Sequence, residues 1–164
     1  MRIDISWKLQ INILCLIGAI IGIVAILSPW FEVVGRRPGV HPIGDLWILY
    51  DANVLDLVTD PSVPRFAIGY SLSDYFIIAA FSFIIGVIIS FISSIGAIPQ
   101  IIGLAVIVID NKGNPPTEIG VYLAIISVIV ILVSLFRPIG TGYVKGQMRW
   151  RERLLTFGWM KKKP

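Results

Sequence analysis

From Tyr75 to Ile109 the chain runs through thirty-five consecutive positions without an Asp, Glu, Lys, Arg or His. As one α-helix rising 1.5 Å per residue this stretch would be about 52 Å long, well beyond the ~30 Å hydrocarbon thickness of a bilayer. It therefore has to fold back on itself. Ser93-Ser94-Ile95-Gly96, followed by Pro99, is the predicted hinge, because Ser and Gly accept turn geometry and Pro is tolerated in the first turn of a new helix. The pattern predicts helix 2 over 74–93, a short turn over 94–98, and helix 3 over 99–110 with its start nearer 95. Asp74 and Asp110 bound this hairpin, which puts both on the same side of a membrane.

Two more apolar stretches flank it. After a short mixed segment, 1–8, Leu9 to Leu27 is apolar except for Gln10, Asn12 and the small residues Gly18 and Gly22, which predicts helix 1 over 9–28. Trp7 and Trp30 stand at its two ends, about 34 Å apart as helix, matching the two interfaces where Trp prefers to sit. A secretory signal peptide is the competing reading, but the apolar run is too long for one and Ser28-Pro29 is a poor cleavage site. Ile119 to Phe136 predicts helix 4, over 118–136. The breaker-rich loop 111–117 precedes it, and Thr117-Glu118 can serve as its cap and dipole partner.

Between helices 1 and 2, residues 29–73 change character: Pro, Gly and Asp become frequent and apolar runs shrink to five or six residues. Trp30 to Val34 and Leu46 to Tyr50, rich in aromatic and β-branched residues, predict two short strands. Val54 to Val58 fits a further strand or a helical turn. The second strand is apolar throughout, so one of its faces needs cover from the membrane surface or a partner.

Composition agrees with a polytopic membrane protein: mean hydropathy is +0.85 and only 15% of the 164 residues are charged. A soluble domain of this size needs more polar surface. The tail, 137–164, holds eight of the fourteen Lys and Arg residues against one acid, Glu152, while 29–73 has three basic residues and five acidic ones. The positive-inside rule then puts both termini in the cytoplasm and both longer loops outside, which requires an even number of spans. The expected fold is an all-α membrane protein, a four-transmembrane-helix bundle with a small β-rich extracytoplasmic first loop, in the cell (plasma) membrane.

Candidate chemistry is sparse. The four apolar segments contain no ionisable side chain other than Cys15, whereas proton relays and ion pathways are built from intramembrane Asp, Glu, His, Lys or Arg. A single cysteine forms no internal disulfide and no Cys-pair metal site, and reads as a small packing residue. His41, the one histidine, lacks partners at ligand spacing, and Asp45, Asp51, Asp56 and Asp60 recur at intervals that fit no calcium loop. No catalytic constellation, cofactor or metal is expected.

Small residues are placed more informatively. Gly18 and Gly22 stand four apart in helix 1; Ser82, Gly86, Ser90 and Ser94 keep that spacing in helix 2; Gly120 and Ala124 open helix 4. Such faces let helices approach closely in lipid, either within this bundle or against another subunit. In the tail, Arg149, Trp150, Arg151, Arg153, Trp159, Lys161, Lys162 and Lys163 suit an anionic inner leaflet, each basic residue contributing about 1 kcal/mol. The tail is too short for a nucleic-acid-binding domain.

This layout resembles the claudin-like tetraspan superfamily, whose first outer loop carries a Trp soon after helix 1, then Gly-Leu-Trp, then two Cys. Trp30 matches the first element, and Gly44-Asp45-Leu46-Trp47 is similar to the second with one residue inserted; the cysteines are missing. The resemblance implies four helices with cytoplasmic ends, a β-stranded outer loop held here by Trp30 and Trp47 without a disulfide, and action through contacts. The functional expectation is a non-enzymatic membrane protein engaged in self-association, adhesion or scaffolding, with the bilayer, its own copies or other membrane subunits as partners. Alternatives are an accessory subunit of a multi-subunit membrane enzyme or transporter, and a lipid- or quinone-handling protein with an apolar groove.

Overall fold

The computed structural model of the chain describes residues 7–35, 48–59, 74–110, 118–137, 139–141 and 154–161. The chain opens with strand β1 (Trp7–Asn12) and helix α1 (Ile13–Leu27), then strands β2 (Phe31–Gly35) and β3 (Ile48–Ala52) and the short helix α2 (Val54–Thr59). Helix α3 (Asp74–Ser90) leads through a 3₁₀ turn, Ser94–Gly96, into α4 (Ala97–Asp110), and α5 (Ile119–Phe136) is followed by strands β4 (Gly140–Thr141) and β5 (Phe157–Lys161). The fold is mostly helical and rests on the four long helices. α1 packs chiefly on α5 and α3 on α4, and the pairs join through α1–α3 and α4–α5 contacts.

Side-chain size explains why these helices pack as they do. The buried positions of α1 are Cys15, Gly18, Ala19, Gly22, Ala25 and Ile26, and those of α5 include Gly120, Ala124, Ser127 and Ser134. The outward positions are the large ones: Ile17, Ile20 and Ile23 on α1, Ile78, Ile85 and Ile88 on α3, Ile98 and Ile102 on α4, Ile125, Ile126 and Ile129 on α5. Small residues inside bring backbones close, so a Cβ added at Gly103 of α4 would lie 2.5 Å from the Ala79 carbonyl oxygen of α3.

The interior divides in two along the helix axes. Toward the β2–β3 end it is apolar, built from Ala25, Trp30, Val54, Ala80, Phe83, Val87 and Ile107. Toward the chain ends it is polar, with Asn12, Ser90, Ser94, Gln100, Ser127, Ser134 and Thr156 all buried around Cys15, Ala97 and Ile131.

Several boundaries differ from the sequence expectation. Helix 1 does not begin at 9: Asn12 halts the extended segment and caps α1, its Oδ1 accepting the Cys15 N–H at 3.3 Å, and the residues before it pair as a strand. The expected surface tail over 137–164 contributes β4 and β5 to a sheet of order β4-β1-β5, both antiparallel to β1, with Ile11 opposite Thr141 and Phe157, and Leu9 opposite Trp159. Of the 29–73 stretch, the described residues form one antiparallel ribbon, Phe31 opposite Ala52 to Gly35 opposite Ile48, and the helix α2, rather than a β-rich fold. Val54 and Val58, one turn apart, both pack on the bundle's apolar core, which selects helix over strand there.

The helices are shorter than four full spans require. They count 15, 17, 14 and 18 residues, about 21 to 27 Å each at 1.5 Å per residue. Among the described residues, Ile119–Phe136 is the one helix long and apolar enough to cross a membrane. Strand β1 takes the first residues of the expected helix 1, and residues 91–96 are spent on the turn between α3 and α4.

Candidate functional site

Four helices meet at the buried amide of Gln100. Its Nε2 donates to Ser90 Oγ at 2.9 Å, and Ser90 Oγ donates to the Gly86 carbonyl at 2.8 Å. Ser127 Oγ lies 3.1 Å from Gln100 Oε1 and 2.8 Å from the Gly18 carbonyl. A hydroxyl carries one proton, so Ser127 serves one of these acceptors at a time, with Gly18 the nearer. Gln100 thereby ties α4 to α3, and Ser127 of α5 ties to α1 or to Gln100, so the four helices meet at one polar node.

One turn toward the chain ends, a second set of polar groups surrounds Cys15. Its Sγ lies 3.3 Å from the Ser90 carbonyl, and Thr156 Oγ1 lies 2.8 Å from the same carbonyl and 3.1 Å from the sulfur. A carbonyl oxygen has two lone pairs, so Ser90 accepts both the hydroxyl and the thiol. The cluster consists of amides, hydroxyls and one thiol, groups that hydrogen-bond without holding charge; what it supplies is cohesion between helices. Interhelical bonds of this kind contribute on average about 0.6 kcal/mol each in a membrane.

At the other end Trp30 is fully buried. Its Nε1 donates to the Ala25 carbonyl at 2.7 Å, and its ring meets Phe83 edge-on at 5.2 Å between centroids and 70° between planes. Gly120 lies against the same indole, where a Cβ would collide with Cδ1 and Nε1, and its N–H donates to the Pro29 carbonyl at 2.8 Å. Trp30 is therefore a core residue fastening α1 to α3 and α5, not an interfacial anchor. Glu118 stands at the N-cap of α5 but makes no side-chain cap bond, so the Pro29 carbonyl does that work at Gly120.

The other expected site residues fall as follows. Gly18 faces Ile131 and Ser127; Gly22 faces Val87 and Ser127; Gly86 faces Gly96 and Gln100; Ser82 Oγ donates to the Pro99 carbonyl at 2.9 Å; Ala124 is buried in the apolar cluster that also holds Trp30 and Phe83. The small-residue faces are thus taken up inside the bundle, leaving isoleucine on the outside. Gly44, Leu46 and Trp47 lie outside the described residues, as do His41, Arg149, Trp150, Arg151, Arg153, Lys162 and Lys163; Trp159 and Lys161 belong to β5, opposite Leu9 and Trp7. Among the described residues no three His, Cys, Asp or Glu side chains gather as a metal site would require.

Sequence reasoning passed over Gln100, Ser127 and Thr156. Gln100 carried a signal, being the one side-chain amide between Tyr75 and Ile109. Thr156 carried none, since its burial depends on where the tail returns. No family model matches this chain, and neither does a curated protein or a solved structure.

Proposed function

We propose that this chain is an integral membrane protein of four spans that acts through protein–protein contacts, as a self-associating, adhesive or scaffolding component. The observation that carries the membrane part is the inversion of the bundle. Isoleucine crowds the outward positions of all four long helices, while the inward ones mix glycine, alanine, serine and a glutamine with a smaller number of large apolar side chains such as Phe83, Ile107 and Ile131. Water selects the opposite arrangement, because burying an Ile side chain contributes about 1.5–3 kcal/mol and apolar patches of this extent are rare on soluble monomers. Lipid removes that incentive and leaves close packing and interhelical hydrogen bonds to hold the helices.

The helices, at about 21 to 27 Å, suit a hydrocarbon layer thinner than ~30 Å, and local thinning costs only fractions of a kcal/mol per Å. Pairing of β1 with β5 supports placing both ends at one face, and the Lys and Arg excess of the tail makes that face the cytoplasmic one of a cell membrane. The ribbon of β2 and β3 then lies outside, directly after the first helix, in the position of the first-loop strands of the claudin-like layout. Because the small-residue faces are used within the bundle, this ribbon is the contact surface we favour.

Two substitutions test the two halves. Ile20, at the centre of α1 and 50% exposed, when changed to Lys costs about 2.5–3.5 kcal/mol of insertion in lipid; on a water-facing surface the same change stays within about 0.5 kcal/mol. Membrane insertion of Ile20→Lys equal to that of the unaltered chain would sink the membrane assignment. Ile48→Lys, in the ribbon, should weaken assembly on blue native electrophoresis, and an unaltered oligomer would remove the ribbon as a contact surface.

A further inference from the structure

The segment from Leu154 to Lys161 is stitched to two parts of the bundle at once. On one side the Leu154 carbonyl accepts from the Ser94 N–H at 2.8 Å and Ser93 Oγ at 2.8 Å, with Ser94 Oγ a longer, competing donor at 3.1 Å, and the Thr156 N–H donates to the Ile92 carbonyl at 2.9 Å. On the other, the Thr156 carbonyl accepts the Asn12 N–H at 2.8 Å, and Phe157–Lys161 pairs with β1 along its length. The segment thus bridges the start of α1 and the α3–α4 turn. Thr156, fully buried, reaches Ser90 and Cys15 beneath.

One polar atom under this bridge works against it. Asn12 Nδ2 is buried and, among the described residues, finds no hydrogen-bond partner. Turning the amide over does not help, because Oδ1 is held by the Cys15 N–H that it caps. A buried donor without an acceptor costs free energy that water recovers as soon as it gains access.

We propose that Leu154–Lys161 is a reversible clasp, which when closed seals the polar half of the core and ties α1 to the α3–α4 turn, and when open admits water to Asn12 and Cys15. The hydrogen bonds of Leu154 and Thr156 hold it shut, and the unpartnered Asn12 amide favours opening. This holds independently of which partner the protein engages.

Cys15, the sole cysteine, reports directly on the state of the clasp. The rate of its alkylation by N-ethylmaleimide is measured by mass spectrometry on the full chain in phospholipid nanodiscs. Thr156→Val, which keeps shape and backbone bonds but loses the hydroxyl, should raise the rate at least threefold, as should the double change Ser93→Ala with Ser94→Ala. Ending the chain after Arg153 should raise it at least tenfold. Asn12→Ser keeps a capping oxygen and replaces the fixed, unpartnered amide donors with one rotatable hydroxyl proton that can find a backbone acceptor, so it should slow labelling severalfold. Ser82→Ala, which loosens α3 from α4 away from the clasp, should leave the rate unchanged. Wild-type rates in both the Thr156 and the Ser93/Ser94 variants would overturn the clasp, and so would an equal rise in Ser82→Ala. A wild-type rate in Asn12→Ser would overturn its reversibility. Should the shortened chain lose helical circular dichroism, the point variants decide.

Discussion

Gly86→Ala isolates what close backbone approach contributes to this bundle. A Cβ at 86 would lie 2.6 Å from the Gln100 backbone nitrogen, 2.7 Å from its Cγ and 2.8 Å from the Gly96 carbonyl oxygen, where ordinary contact begins at 3.4 Å. Two of these neighbours are backbone, so no rotamer change relieves them and α3 must move off α4 by roughly 0.8 Å, a separation that forfeits a quarter to a half of each van der Waals well across the interface. Overpacking of this kind costs about 1–3 kcal/mol. Loss of the Gln100–Ser90 bond, which spans the same gap, adds about 1 kcal/mol, and replacing Gly by Ala inside a helix returns about 1 kcal/mol. The net expectation is a destabilisation of about 2 kcal/mol. Gly22→Ala is the comparison, because its nearest neighbours are Val87 Cγ2 at 2.7 Å and Ser127 Oγ at 3.0 Å, side-chain rather than backbone atoms; two buried side chains must adjust but no helix backbone need move, and it should cost about 1 kcal/mol. Reversible unfolding in mixed micelles, followed by circular dichroism, reads both. If Gly86→Ala proves as stable as Gly22→Ala, backbone contact between α3 and α4 is not what limits the packing.

Three further outcomes are expected. Trp30→Ala should cost about 3–5 kcal/mol of unfolding free energy, whereas Trp30→Phe should cost about 1 kcal/mol, because Ser28 N–H also donates to the Ala25 carbonyl and leaves it partnered; equal losses would mean that the indole's volume contributes little. Gln100→Leu should destabilise by only about 1 kcal/mol, since Ser90 and Ser127 keep the Gly86 and Gly18 carbonyls as acceptors; a loss near that of Trp30→Ala would show the amide to matter beyond its hydrogen bonds. Thermal stability in bilayers of graded acyl-chain length should peak at chains shorter than those of an average membrane, and a peak at long chains would contradict helices of about 21 to 27 Å.

Much of the helical layout was legible because it depends on local pattern. An uncharged run of thirty-five residues with Ser-Ser-Ile-Gly in its middle has to turn near that point, and the spacing of Gly18, Gly22, Gly86, Gly120 and Ala124 marks the faces along which helices approach. Those properties follow from steric size and backbone freedom, which each residue carries with it. What each small face meets was not legible: Gly120 opposes an indole, Gly86 a neighbouring backbone, and both are pairings across the chain. Trp30 shows the limit most plainly. Its position after helix 1 suggests an interface, yet the ring turns inward to the Ala25 carbonyl and Phe83, a choice made by the space that Gly120 leaves.

The ends of the chain take their pairing from tertiary structure. Leu9-Gln10-Ile11-Asn12 alternates apolar and polar residues, which suits a strand, but a strand needs a partner, and it becomes β1 because β5 returns from about 150 residues away to pair with it. The same return buries Thr156 over Cys15. Hydrophobicity and residue size, which are local, determined that there would be four apolar helices with small inner faces. Strand pairing and the closing of the polar end are long-range, since a strand has no partner until the fold brings one to it.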